Sequence, residues 1–191
     1  MSPARSSPAD GDVIFGPGPV FLRWTSARAA EYPELAAQVA TFDAGDREAA
    51  RQASSWLRER GLLAPAESVA RLLLDNGRIL GYYALASGSA ELTVSQRREL
   101  GDSDRRTQPA TILTQIARER SSPSGTGAQM LEHALAIARR AASEIAATML
   151  ALDPHDAATT DMWIRRYGFR ESAGPAAGAH EPRLWIRLTS R

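Results

Sequence analysis

Apolar positions recur along this chain in two rhythms that alternate from end to end. Val20-Phe21-Leu22-Arg23-Trp24 is a short run of strand type, and a helical region follows, roughly Ser26 to Ala40. Thr41 to Asp46 reads as a turn. From Arg47 to Arg60, Ala50, Ala53, Trp56 and Leu57 recur at three- and four-residue steps, the mark of an amphipathic helix, and Gly61 suits its end. Ser68 to Leu74 predicts a strand. Asp75-Asn76-Gly77-Arg78 carries the Asn-Gly pair that favours a tight hairpin. Ile79 to Ser87 is apolar almost throughout, as a central strand would be, and Ala90 to Val94 is expected to prolong it. Ser95 to Gln108 is polar and reads as a surface loop or short helix. Pro109 to Arg118 predicts a third long strand through Ile112, Leu113 and Ile116. A Ser/Pro/Gly loop over Arg120 to Gly127 precedes a helix, Ala128 to Ala142, with Leu131, Ala134, Leu135 and Ala138 on one face. Ile145 to Leu152 reads as strand, Ala157 to Tyr167 as helix ended by Gly168, and Phe169-Arg170 and Arg183 to Leu188 as strands. The order β-α-α-β-β-β-α-β-α-β predicts an α/β protein, a single domain with a mixed central β-sheet flanked by helices.

Length and composition narrow this picture. The chain has 191 residues, 43% hydrophobic and 24% charged, enough for one packed domain. Residues 1–18, rich in Ser, Pro, Gly and Asp, predict a disordered tail, leaving 19–191 as the domain. No apolar run reaches a membrane span, and the opening residues carry no secretory pattern, so a cytoplasmic location with no membrane partner is expected. Cysteine is absent, which excludes disulfides, thiolate metal sites and a cysteine nucleophile. Three His in separate elements predict no metal site. The net charge is +1, and all 23 basic residues are Arg. Without Lys there is neither Schiff-base chemistry nor a P-loop.

The segment richest in chemistry is Ser122-Pro123-Ser124-Gly125-Thr126-Gly127-Ala128, between a long strand and an amphipathic helix. Glycines admit a ligand close to the backbone, and the N–H groups and dipole of a helix start favour an anion such as a pyrophosphate. The spacing fails the Gly-x-Gly-x-x-Gly dinucleotide pattern, since position 130 is Met.

The same loop resembles the pyrophosphate motif of the GNAT family of acyl-CoA-dependent N-acyltransferases, Gln/Arg-x-x-Gly-x-Gly/Ala, with Ser122 in place of the Gln or Arg. Trp163-Ile164-Arg165-Arg166-Tyr167-Gly168-Phe169 resembles their late helix, with Ile164 where much of the family has its general-acid Tyr. Phe42-Asp43-Ala44-Gly45, Gly81-Tyr82-Tyr83-Ala84-Leu85-Ala86 and Pro109 leading to Ile116-Ala117 extend the likeness, over about Val20 to Leu188, to the toxin-type GNATs of toxin–antitoxin pairs, which acetylate aminoacyl-tRNA. The resemblance implies acetyl-CoA as cofactor, held by Ile116, Ala117, Arg118, Ser122, Ser124, Gly125, Thr126, Gly127 and Ala128. It also implies an antitoxin partner with a ribbon-helix-helix DNA-binding part, and allows a homodimer. Arg118 or Arg120 is a candidate to replace the phosphate contact that Ser122 lacks.

The absence of a Tyr at position 164 is tolerable with an aminoacyl-tRNA as acceptor and more damaging with a lysine amine. A thiol pKa of about 8.5 makes thiolate a fair leaving group, and an α-amino group of pKa about 8, lowered further in an ester, barely needs a base. Tyr167 and Tyr83 are the candidate catalytic hydroxyls, and His155 with Asp156 a candidate base. His133 is expected to be exposed, and Trp56 and Trp163 to belong to the core. Arg97-Arg98, Arg105-Arg106, Arg139-Arg140 and, above all, Arg165-Arg166 are candidates for contact with an RNA backbone. Three functions stay open: acetylation of aminoacyl-tRNA, an acyl-CoA- or protein-binding GNAT-like protein without turnover, and an ordinary metabolite or protein N-acetyltransferase.

Overall fold

Strand pairing begins where the N-terminal apolar run does. The computed structural model describes residues 18–62, 67–101, 104–145, 147–175 and 181–188. The tail expected over residues 1–18 lies outside these but for Gly18. Strand β1 (Val20–Arg23) leads into α1 (Ser26–Glu31), which the Thr25 hydroxyl caps by accepting from the Arg28 N–H. The single helix expected to Ala40 is in fact two. Pro33 disfavours helical backbone at Tyr32 and starts α2 (Pro33–Ala40) at a position where its missing N–H costs nothing. Helix α3 (Glu48–Arg60) matches its predicted span.

Strands β2 (Val69–Asp75) and β3 (Arg78–Glu91) form the expected hairpin, with Asn76 and Gly77 both at positive φ, as a type I′ turn requires. Strand β3 does not run on to Val94. Thr93 and Gln96 exchange the two bonds of a capping box and start α4 (Val94–Leu100). Strand β4 (Thr107–Arg118), α5 (Thr126–Ile145) and β5 (Met149–Leu152) make a β-α-β crossover, with α5 taking the residue at which a strand was expected. Helix α6 (Ala157–Tyr167) ends at Gly168, whose φ is +73°, and β6 (Arg170–Pro175) and β7 (Pro182–Arg187) close the sheet.

The seven strands lie in the order β1-β2-β3-β4-β5-β7-β6. Every pairing is antiparallel except β4 with β5, so the sheet is mixed. Alternation along the strands divides the core. Leu72, Leu74, Tyr82 and Ala84 face α1 to α3, whereas Leu73, Tyr83 and Leu85 face α5 and α6. A third cluster, Ala90, Ala110, Ile112, Met149 and Trp185, lies beside α4. Arg183 braces this region, donating from Nε and Nη2 to the two oxygens of Asp153 (2.7 and 2.6 Å) and from Nη1 to the Ser89 carbonyl.

Candidate active site

Strands β4 and β5 stay paired only from Ala110–Met149 to Ile112–Ala151, although β4 runs on to Arg118. Its partner-facing edge beyond Ile112 therefore has no neighbouring strand and presents main-chain groups to a cleft. A bulge between the pairs Ala84–Gln115 and Leu85–Leu113 leaves Thr114 extra, re-aiming β4 at that point. The cleft has a volume of about 770 Å³. One wall is β4 from Leu113 to Arg118. Ala49, Gln52 and Ala53 of α3 form a second, Leu152 to His155 follow β5, and Met162, Trp163 and Tyr167 of α6 close it. Gly127 and Met130 bring the start of α5 to its end.

The loop before α5 is arranged for an anion through its backbone rather than its side chains. Gly125 has φ +94°, the left-handed conformation that admits glycine most readily, and accepts from Gln129 N–H as the first full turn closes. Among the described residues the N–H groups of Ser124, Gly125, Gly127 and Ala128 carry no bond within the chain, which leaves four donors at a helix N-terminus. Three side chains given a ligand role in the sequence are spent on bonds within the chain. Ser122 is buried and its hydroxyl donates to the Leu80 carbonyl, and Thr126 is buried and donates to the Pro123 carbonyl at 2.8 Å. Arg120 is turned away by ion pairs to Asp43 (3.3 Å) and Asp46, and its N–H bonds the Asp43 carbonyl. Arg118 remains: it lines the cleft, and its guanidinium donates to the Ser122 carbonyl at 3.1 Å, which holds it against the loop. Ile116 and Ala117 line the cleft beside it.

Of the two candidate hydroxyls, the structure brings only Tyr167 to the cleft. Its ring packs on Trp163 at 5.1 Å, with the Arg166 guanidinium 5.5 Å from the ring centroid. Ile164, half-buried, packs into the cluster under α6 and offers no hydroxyl. Tyr83 is fully buried on the α5 side and is not among the cleft-lining residues, because odd positions of β3 point into that core. Burial pushes its hydroxyl pKa up to about 12, which the neighbouring Arg71 opposes. Tyr82, on the other face, donates to the Ala53 carbonyl at 2.6 Å. His155 lines the cleft, but Asp156 does not form a dyad with it. The Asp156 carboxylate caps α6, accepting from Thr159 N–H and Oγ1 at 2.7 and 2.6 Å, and these bonds lower its pKa. His133 is half-buried rather than exposed, stacked on Phe21 at 3.7 Å.

Sequence reasoning missed the contributions of Gln52, Thr114 and Met162, which belong to three different elements. Met162, at 40% exposure an apolar side chain on an otherwise polar helix face, was the one local signal available. Among the described residues no cluster of His, Asp and Glu is suited to a metal ion, and no helix is long and apolar enough to cross a membrane.

No protein-family model matches the chain, and no curated protein does. Solved structures do. A Tyr→Phe mutant of KacT superposes with a TM-score of 0.69 at 16% identity, covering 89% of this chain and 95% of that one. AtaT complexed with acetyl-methionyl-tRNAfMet gives 0.69 at 18% identity, over 89% and 95%. A Tyr→Phe mutant of the AtaT toxin, bound to the C-terminus of the antitoxin AtaR and acetyl-CoA, gives 0.61 at 16% identity, over 90% and 94%. The splayed strands, the helix N-terminus between them and this overlap along nearly the whole length of both chains give the protein the fold of the toxin-type GNAT acetyltransferases.

Proposed function

We propose that the protein transfers an acetyl group from acetyl-CoA to a primary amine, with the α-amino group of an aminoacyl-tRNA as the acceptor. The carrying observation is the opening of β4 from β5 beside four unbonded N–H groups at the start of α5. An acyl-CoA fits these donors: the pyrophosphate calls for backbone N–H groups and a cation, here Arg118, and the thioester arm calls for an extended edge with main-chain partners. The neighbours found with acetyl-CoA, an antitoxin and an acetylated tRNA support the same reading. By that likeness the partner is an antitoxin, for which a ribbon-helix-helix DNA-binding part is proposed, and a homodimer is compatible.

Acetyl-CoA supplies a thioester whose carbonyl carbon the amine attacks, with the C–S bond breaking and the thiolate leaving. The exposed edge of β4 around Ile116 to Arg118 offers N–H donors to the carbonyl oxygen as it gains charge. In this reading Tyr167, which lines the cleft, gives its hydroxyl proton to the departing sulfur and recovers one from the attacking nitrogen. Positioning two substrates in one cleft contributes up to about 7–11 kcal/mol, more than the roughly 10²–10⁴-fold expected of a general acid, so the absence of a hydroxyl at Ile164 is survivable.

Gly127→Asp tests the cofactor site. A Cβ there meets nothing within 4 Å, so the variant folds, while its carboxylate stands where the pyrophosphate would lie. Acetyl-CoA affinity by calorimetry is expected to fall about tenfold or more, and unchanged affinity would remove the cofactor assignment. Tyr167→Phe, followed as CoA release on charged tRNA, is expected to lower kcat by about 10²-fold with acetyl-CoA affinity retained. Wild-type binding with no release on any amine would favour the second reading, a binding protein without turnover, to which the apolar Ile164 points. Release on small amines with no response to tRNA would favour a metabolite or protein acetyltransferase.

A further inference from the structure

Arg23 and Arg71 face each other directly across β1 and β2, and Arg71 in turn pairs with Tyr83 of β3. Like charges opposite one another in an antiparallel ladder are destabilising, their Cβ atoms lying about 4.5–5.5 Å apart. A third cation approaches from α5. Burial lowers the pKa of Arg71 and of His133, and the charge of Arg140 adds to the effect on both. Arg71 is half-buried, with its guanidinium 6.0 Å from the Tyr83 ring centroid. Among the described residues none of the three guanidinium groups makes an ion pair or a hydrogen bond. Arg106, Arg165, Arg170 and Arg183, by contrast, each have an acid. The folded chain thus holds three guanidinium groups without an acidic partner near one another, one of them partly out of water, and an anion bound there would relieve their mutual repulsion.

The surroundings favour one kind of anion. Phe21 and His133, stacked at 3.7 Å and both half-buried, lie beside the arginines, and the Tyr83 hydroxyl sits 2.7 Å from His133 Nδ1. A row of guanidinium groups next to aromatic rings is the combination that holds nucleic acid, phosphates on the forks and bases or riboses on the rings. None of these residues lines the cleft. Three strand spacings separate β1 from β4, about 14 Å, within reach of a single-stranded 3′ end of a few nucleotides.

We infer that Arg23, Arg71 and Arg140 form a docking site for the phosphodiester backbone of the acceptor RNA, away from the reaction centre. The inference rests on the aminoacyl-tRNA reading above. It places the RNA contact on the β1–β2 face rather than on Arg165-Arg166, where Arg165 is already paired with Asp161 at 3.2 Å.

The test uses the full chain and deacylated tRNA, with fluorescence anisotropy over a salt series. The triple variant Arg23→Gln/Arg71→Gln/Arg140→Gln is expected to bind at least about tenfold more weakly near 0.15 M salt, with the slope of log K against log salt reduced by about 2–3. The single variant Arg23→Gln, at an exposed position, should lose about one in slope, which guards against a fold defect in the triple. Arg170→Gln, in β6 at the edge of the sheet opposite β1 and paired with Glu99, should bind as wild type. In turnover, the triple variant should raise KM for aminoacyl-tRNA with kcat unchanged, and leave acetylation of methionine methyl ester untouched. Wild-type affinity and slope in the triple variant would overturn the proposal even if aminoacyl-tRNA is acetylated. Full displacement of tRNA by polyglutamate at equal charge concentration would also overturn it, reassigning the face to an acidic polypeptide. Loss of turnover on both the tRNA and the ester in wild type would count against the acetyltransferase reading alone, because the anisotropy result stands without it.

Discussion

Tyr82→Ala is expected to cost about 3–5 kcal/mol of stability, measured as a shift of the urea midpoint with the slope unchanged. Tyr82 is fully buried where three elements meet. Its ring stacks on Trp56 of α3 at 5.7 Å and meets Phe42 edge-on at 5.4 Å, and its hydroxyl donates to the Ala53 carbonyl. Truncation removes the ring and opens a void between sheet and helix. Domains of this size have about 5–15 kcal/mol in all, so the loss is a large share of the whole. Tyr82→Phe, which loses only the bond to Ala53, is expected to cost about 0.5–1.5 kcal/mol. The pair separates packing from hydrogen bonding. Because Ala49, Gln52 and Ala53 form one wall of the cleft, Tyr82→Ala should also weaken turnover in the fraction that stays folded. A midpoint shift below about 1 kcal/mol would show that Tyr82 does not carry the α3 contact.

Gly81→Val is expected to damage stability and the site together. A Cβ at position 81 would lie 2.7 Å from the Ala117 carbonyl oxygen and 2.9 Å from Met130 Cε and Sδ. Met130 can yield, but the Ala117 oxygen is main chain in the strand that lines the cleft. Overpacking of this kind costs about 1–3 kcal/mol. The relief available is a displacement of β4 or of the start of α5, both of which form the proposed cofactor site. Acetyl-CoA affinity should therefore fall about tenfold in protein that still melts cooperatively, read by calorimetry beside thermal unfolding. Unchanged affinity would show that the position of Ala117 does not matter to the cofactor. Gly81→Ala, with the same Cβ and less bulk, should show the same two effects, each smaller.

Much of this protein is legible in its sequence. Local signals carry their cause within a few residues: Asn76-Gly77 fixes a hairpin because both residues accept positive φ, and Gly168 ends α6 for the same reason. The three- and four-residue rhythm of α3 and the apolar run of β3 likewise need only their own side chains to be read. The Gly-rich loop before α5 is legible as a candidate anion site because glycine, helix start and preceding strand are neighbours in sequence. Where the structure departs from hydrophobic periodicity, a competing local rule has the stronger hand, Pro33 over helical periodicity and the Thr93–Gln96 capping box over an apolar continuation.

What the tertiary structure alone decided is which groups share space. Ser122 was expected in the cofactor site without a phosphate-binding side chain, and Arg118 and Arg120 were equal candidates to supply that contact. Only the fold spends Ser122 on Leu80, hands Arg120 to Asp43 and Asp46, and leaves Arg118 in the cleft. Tyr83 and Tyr167 were equal as hydroxyls until strand direction buried one and helix direction brought the other to the opening. The arginine trio had no sequence signature at all: residues 23, 71 and 140 are far apart along the chain, and strand register and a helix face bring them together. A sequence specifies local conformation through contacts it can make with itself nearby, so hairpins, caps and amphipathic faces are written in it. Sites are built from long-range contacts, and those exist only once the sheet has chosen its order.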